Sequence, residues 1–182
     1  WVHADLFVTV MIVLPMPLIF IAERIWTKRE DWLLEPKEMF EDAFWLAFGF
    51  FLWVPLYSDY FETPISRGFE ALRDASPLGI SLAPTTLLGV LGAALFVKIC
   101  SSFIYYWLHR VQHESVFWWR IHATHHHITK MGCMRGWRTH PFEHATLVIS
   151  MPIALALMGA SSEVIAVAAA FSMWNGELNH SN

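Results

Sequence analysis

From Leu87 to Trp107 the chain runs through apolar and small residues interrupted by a single charge, Lys98. A helix needs about 20 mostly apolar residues to cross roughly 30 Å of hydrocarbon, so this run predicts a membrane span. Lys98 is expected to reach along its own stem toward the nearer end. Two further runs read the same way. Leu6 to Ala22 carries no charge and ends at Glu23-Arg24, with kinks at Pro15 and Pro17 that neighbouring helices can accommodate. Ala43 to Tyr57 is shorter but dense in aromatic residues, and flanking Trp and Tyr suit the bilayer interface. Composition agrees, because 55% of the 182 residues are hydrophobic and 15% charged, with fourteen Phe and ten Trp, more core-forming side chain than one soluble domain uses. The expected fold is all-α, an integral membrane helical bundle.

Thr146 to Trp174 is uncharged apart from Glu163 and is broken near its middle by Gly159-Ala160-Ser161-Ser162-Glu163. Each half reads as too short for a straight crossing, which predicts a tight helical hairpin that dips in and returns, or else two tilted, kinked spans. Residues 65 to 74 put Ile65, Phe69 and Leu72 on one helical face, a short helix lying on the membrane surface or a solvated connector. Ten Lys and Arg fall on one side of this topology, and two, Arg67 and Arg73, on the other. By the excess of basic residues on cytoplasmic loops, the end of the bundle beyond Trp107 faces the cytoplasm and the N-terminus lies outside. A net charge of -4 with scattered basic residues argues against a nucleic-acid partner. Cys100 sits in an apolar run and Cys133 in a basic loop, which excludes a disulfide framework.

Six of the ten histidines lie between His109 and His127. His109 and His113 are four apart, as are His122 and His126, with His125 one position earlier. On helices each group aims its imidazoles at a common point. So many imidazoles packed together without a cation would leave nitrogens unsatisfied or mutually repelling. Trp118 and Trp119 read as interfacial anchors that let two short helices bring their histidine faces together. One zinc uses fewer ligands than these, and His109-Arg-Val-Gln-His113 lacks the glutamate of a zinc peptidase. The set suits two ions, and imidazole suits iron. Bis-histidine haem binding needs one histidine on each face of a porphyrin and leaves the clustering unexplained. His3, alone, reads as a structural histidine.

The segments YYWLHRVQHES (105 to 115), WWRIHATHHH (118 to 127), THPFEH (139 to 144) and NHSN (179 to 182) resemble the membrane fatty acid hydroxylase / sterol desaturase superfamily. The resemblance covers roughly residues 88 to 182, with 1 to 87 forming N-terminal membrane helices and a connecting loop. It implies a histidine-rich, cytoplasmic metal-binding cap holding two Fe ions, for which Zn can substitute in preparations, and O₂-dependent hydroxylation or desaturation of a lipid C–H bond. It further implies an inner bacterial membrane or the endoplasmic reticulum, and an electron donor of the cytochrome b5-like or ferredoxin/reductase kind. His109 and His113 match the first histidine box, His122, His125 and His126 the second, and His180 an isolated ligand. A third His-x-x-His-His box is expected downstream of Asn182, so the sequence reads as a piece of a longer chain.

His127 falls off the box positions and reads as a supporting or surface residue, or as a ligand in a shifted register. His140 and His144 are a further possible ligand pair, more in keeping with a wall around the metals. Glu143, Glu114 and Glu177 are candidates to fix ligand tautomers through hydrogen bonds. Arg135 and Arg138 are candidates to dock an acidic electron donor or lipid headgroups. An apolar channel for the lipid is expected between the aromatic second span and the third span near Phe103, Tyr105 and Tyr106. The rival reading is a non-catalytic membrane protein, a haem electron carrier or a cation transporter, which would place its ligands within the spans.

Overall fold

The computed structural model describes residues 10, 11 and 13–182. The beginning of the first apolar run and His3 lie outside the described residues. Six helices carry the fold: α1 (Pro15–Ile25), α2 (Pro36–Asp74), α3 (Leu87–Glu114), α4 (Val116–His126), α5 (Pro141–Met158) and α6 (Ser162–His180). Among the described residues the only strand-like pairing is an isolated bridge between Leu82 and Ala160. Among the described residues three helices, α2, α3 and α5, are long and apolar enough to cross a membrane.

α2 is one continuous helix of 39 residues where the sequence reading had a span, a loop and a separate surface helix. Pro55 and Pro64 are responsible for that misreading. A helical proline clashes with the carbonyl four residues back, which for these two means Phe51 and Tyr60. Both positions lie inside π-helical turns, Gly49–Trp53 and Ser58–Glu62, whose wider winding takes up the clash without ending the helix. Residues 65 to 74 are thus the last turns of α2. They pack on the second half of α5, where the Arg73 guanidinium donates to the Ala156 carbonyl at 2.9 Å.

The 28 residues of α3 span about 42 Å, some 10 Å more than the Leu87–Trp107 run, so its last two turns emerge carrying His109 and His113. Thr86 caps its start by accepting from the Gly89 amide. Lys98 stands at the middle of the span, half-buried, rather than near an end, and has no ion-pair partner among the described residues.

α5 and α6 form a helical hairpin, but its arms are 18 and 19 residues and α5 is long and apolar enough to cross, so the short arms on which the expected dip and return rested are not observed. His140-Pro141 starts the first arm five residues before the apolar run begins. Gly159, in the left-handed conformation at φ 59°, makes the turn, and a Cβ there would stand 2.8 Å from the Ile80 carbonyl. Helices α3, α5 and α6 meet through Ala93, Ala94, Val97, Ala154, Val164 and Ala168. Small residues at this seam let backbones approach closely, as membrane helices require when lipid offers no hydrophobic drive between them. The bundle's two ends are therefore distinct. Loop 75–86 and the Gly159 turn occupy one, and the histidines occupy the other.

Candidate metal centre

Ser115 is extended (φ −95°, ψ 122°) and separates α3 from α4 by one residue, folding α4 back beside the end of α3. His109 and His113 on α3 then face His122 and His126 on α4. Their Nε2 atoms converge: His109 lies 3.0 Å from His122 and 3.1 Å from His113, His113 lies 3.1 Å from His122 and 3.3 Å from His126, and His122 lies 2.9 Å from His126. All four lie within 4.8 Å of one another.

Protons cannot satisfy this arrangement. His122 Nδ1 and Glu143 Oε1 stand 2.8 Å apart and share one proton, so His122 brings at most one proton to the cluster through its Nε2. Each remaining ring has at most one proton for five contacts, whereas a central cation makes every contact favourable. Nitrogens about 2.1 Å from a shared ion stand about 3.0 Å apart on neighbouring corners of an octahedron and about 3.4 Å apart on a tetrahedron. The observed spacings gather near the first value, so the residues fit an ion that keeps further coordination positions open.

The second box divides between two places. His122 and His126 join the α3 pair, while His125 turns to the other side of α4 and meets His180, Nε2 to Nε2 at 3.4 Å. His180 donates from Nδ1 to the Gly176 carbonyl at 2.9 Å, presenting its Nε2 lone pair to His125. Gly136 makes this possible, because a Cβ there would stand 2.9 Å from His180 Nδ1. Burial, reinforced by the neighbouring imidazoles, pulls His122 down to about 3, and burial with His180 beside it pulls His125 down to about 4. His126 is lowered by burial and by His113. All three are neutral at pH 7, the form that binds metal.

Glu143 is 1% exposed, like His122, and links the centre to α5. It also belongs to the capping box that starts this helix, in which the His140 ring accepts from the Phe142 amide and Glu143 receives the His140 amide. His140 is thus a helix cap, and neither it nor His144 approaches the four-histidine cluster. His144 packs edge-on to Tyr57 and stacks on Trp137. His127 is an exposed residue at the end of α4. Glu177 accepts from the Trp137 indole rather than from a histidine, and Glu114 pairs with Arg110.

Tyr105 lies edge-on to His109 at 5.5 Å, and all three of Phe103, Tyr105 and Tyr106 are exposed on α3 rather than enclosed in a channel. Arg135 and Arg138 are not available for docking. Arg135 pairs with Glu38 and Asp42, and Arg138 with Glu41 and Asp42, fastening the 133–138 loop to the start of α2.

Two supporting residues, Gln112 and Glu23, escaped the sequence reading, and a third, Trp119, was read there only as an interfacial anchor. Gln112, inside the first box, is buried and donates to Thr146 Oγ1 at 2.7 Å, locking α3 to α5. Helical arithmetic along the buried stripe Val97–Ser101 reaches Gln112, so that signal was present. Trp119 covers His113 and His126 at ring distances of 5.5 and 5.6 Å, a contact that depends on the fold-back at Ser115. Glu23 of α1 accepts from the Cys133 and Asn182 amides, holding the residues beside His180.

Residues 94–182 match the family model described as fatty acid hydroxylase. That segment contains all six clustered histidines and belongs to this family, within the fatty acid hydroxylase/sterol desaturase superfamily. No curated protein and no solved structure matches the chain. The domain, its histidine cluster and three helices long and apolar enough to span a bilayer fit a membrane-bound lipid hydroxylase, an oxidoreductase.

Proposed function

We propose that the chain is a di-iron, O₂-dependent lipid hydroxylase or desaturase of the membrane. The convergence of four Nε2 atoms on one point, with the His125–His180 pair beside it, carries this reading. His109, His113, His122 and His126 would hold one iron. His125 and His180 would contribute to a second. Iron supplies the O₂ chemistry that side chains lack against an unactivated C–H bond. The protein's own part is orientation: Glu143 and the Gly176 carbonyl fix two ligand tautomers, and Gln112 holds the two helices in register. The excess of Lys and Arg at the histidine end supports a cytoplasmic face for the centre, where a cytochrome b5-like or ferredoxin/reductase donor would deliver electrons.

A haem carrier is less well supported. An iron–porphyrin ligated on both faces needs its two nitrogens about 4 Å apart with a macrocycle between them, and these cluster at about 3 Å. The test is iron content and lipid mass spectrometry of the full-length protein beside His122→Ala. Two irons per chain, and an oxidised lipid lost in the variant, are expected. Iron-free protein with an unchanged lipid profile would overturn the reading.

A further inference from the structure

His180 is the last residue of α6, where a helix runs out of partners for its carbonyls and frays. Its ring depends on that last turn, because Nδ1 donates to the Gly176 carbonyl while Nε2 faces His125. We infer that Glu23 and Asn182 are positioning residues for His180, forming a clasp through which α1 fixes the second metal position. The inference deepens the proposed function and rests on it for calling the His125–His180 pair a metal position.

The clasp closes on both sides of the imidazole. Beyond it, the Asn182 amide N–H donates to Glu23 Oε1 at 2.8 Å, and the Asn182 side chain pairs with the backbone of Arg29. Asn182 Oδ1 accepts the Arg29 N–H at 3.1 Å, and Asn182 Nδ2 donates to the Arg29 carbonyl at 3.0 Å. Arg29 is extended (φ −131°, ψ 106°), which turns its N–H and C=O to one side as in a strand. A side-chain amide offers that pair an acceptor and a donor together, whereas a carboxylate only accepts. The Arg29 guanidinium takes no part, being engaged with Asp31 and Trp32. On the other side of the imidazole, the same Glu23 oxygen accepts the Cys133 N–H at 2.9 Å. Cys133 opens the turn Cys133–Trp137, whose Gly136 lies against His180. One carboxylate oxygen therefore ties the chain leaving His180 to the wall on which His180 rests.

The placement of Glu23 separates it from an ordinary surface ion. It is half-buried, and its two amide partners lie 110 and 159 residues further along the chain. Hydrogen bonds to an ionised acceptor are the strong ones, and two share this acceptor. Without it the end of α6 and the 133–137 turn are free to part, and nothing imposes the 3.4 Å between His125 and His180, the spacing of neighbouring corners on a tetrahedron. Glu23 and Arg29 lie outside residues 94–182, so the segment that carries the histidines does not hold all of them by itself. The four-histidine cluster is built on α3 and α4 and braced from α5 through Glu143, with no hydrogen bond from α1 among the described residues.

The experiment reads the two positions separately in full-length protein in nanodiscs, comparing wild type with Glu23→Ala, Glu23→Gln and Asn182→Leu. In metal-free protein, diethyl pyrocarbonate modification of each histidine is timed by peptide mass spectrometry. His180 should react several-fold faster in Glu23→Ala and Asn182→Leu, while His122, 1% exposed, keeps its wild-type rate. Cobalt titration then gives the affinity of the second equivalent, assigned by its absence in His125→Ala. That affinity should fall about ten- to hundredfold in the same two variants, the loss that follows removal of a group supporting a ligating histidine, with the first equivalent unchanged. Glu23→Gln keeps an oxygen able to accept both amides and should restore most of the wild-type behaviour in both measurements. An unchanged His180 rate with the second cobalt retained in Glu23→Ala would overturn the proposal. Parallel losses at both positions would overturn it too, making Glu23 a residue of the general fold. Wild-type protein that takes a single cobalt would fail the di-iron reading, and the His180 rates would still decide the clasp.

Discussion

Replacing Glu143 by Gln isolates the tuning of the metal centre from the folding of the helix that carries it. The carboxyl has two duties on two oxygens: Oε1 shares a proton with His122 Nδ1 at 2.8 Å, and Oε2 receives the His140 amide at the start of α5. The amide oxygen of Gln can still accept one hydrogen bond, so much of the geometry persists, but the carboxyl that a cation bound at His122 would draw into its charged form is gone. A hydrogen bond to a charged partner contributes about 1.5–3 kcal/mol and a neutral one about 0.5–1.5. The difference, about 1–2 kcal/mol at a site where both side chains are 1% exposed, should weaken metal binding by roughly five- to thirtyfold. That range falls within the losses seen when the hydrogen-bond partner of a ligating histidine is changed. The assay is a competitive cobalt titration of purified protein, with thermal unfolding of the metal-free form alongside. Glu143→Ala removes the cap as well and should cost the metal-free fold about a further 1 kcal/mol. An unchanged cobalt affinity in Glu143→Gln would refute the reasoning, as would a loss confined to metal-free stability, because either result makes Glu143 a helix cap and nothing more.

The second site has its own test. Gly136→Ala puts a Cβ 2.9 Å from His180 Nδ1, so metal stoichiometry by elemental analysis should fall at the His125–His180 site while cobalt at the four-histidine site remains. Acid should weaken the metal-free fold in a defined window. The folded-state values of His122 and His125, about 3 and about 4, lie below the usual 6.5, so the unfolded chain binds protons that the folded chain does not. The contribution of these two histidines should therefore decline as pH falls from about 6.5 toward 4, by up to about 1.4 kcal/mol per pH unit each. That decline is offset down to about 4.5 by buried carboxyls such as Glu177, raised to about 7, so denaturant midpoints across that range should show the net loss steepening below about 4.5. Replacing both Arg135 and Arg138 by Met strands Asp42, which is fully buried, and should cost about 3–5 kcal/mol in thermal unfolding, where loss of mere docking residues would cost nothing.

Why the histidine boxes were legible and their assignment was not is a matter of angle. Residues four apart on a helix differ by about 40° and residues three apart by about 60° in the opposite sense, so His126 and His125 both qualify as companions of His122 but point about 100° from each other. Spacing therefore shows that three imidazoles share one side of α4, but not that a single point cannot hold all three. That depends on what approaches each flank: α3 reaches His122 and His126, while α6, arriving from a hairpin more than thirty residues later, reaches His125. The long helices were legible for the opposite reason, since apolar runs report their solvent directly. Their ends were not, because prolines that end a helix in isolation are absorbed by π turns in α2 and used as a start in α5. Arg135 and Arg138 fail for the same reason as His125. A charge in sequence carries no record of whether Glu38, Glu41 and Asp42, almost a hundred residues earlier, fold against it. In this chain, properties set by a residue's immediate neighbours and by its solvent were readable, whereas those set by a second helix had to be seen.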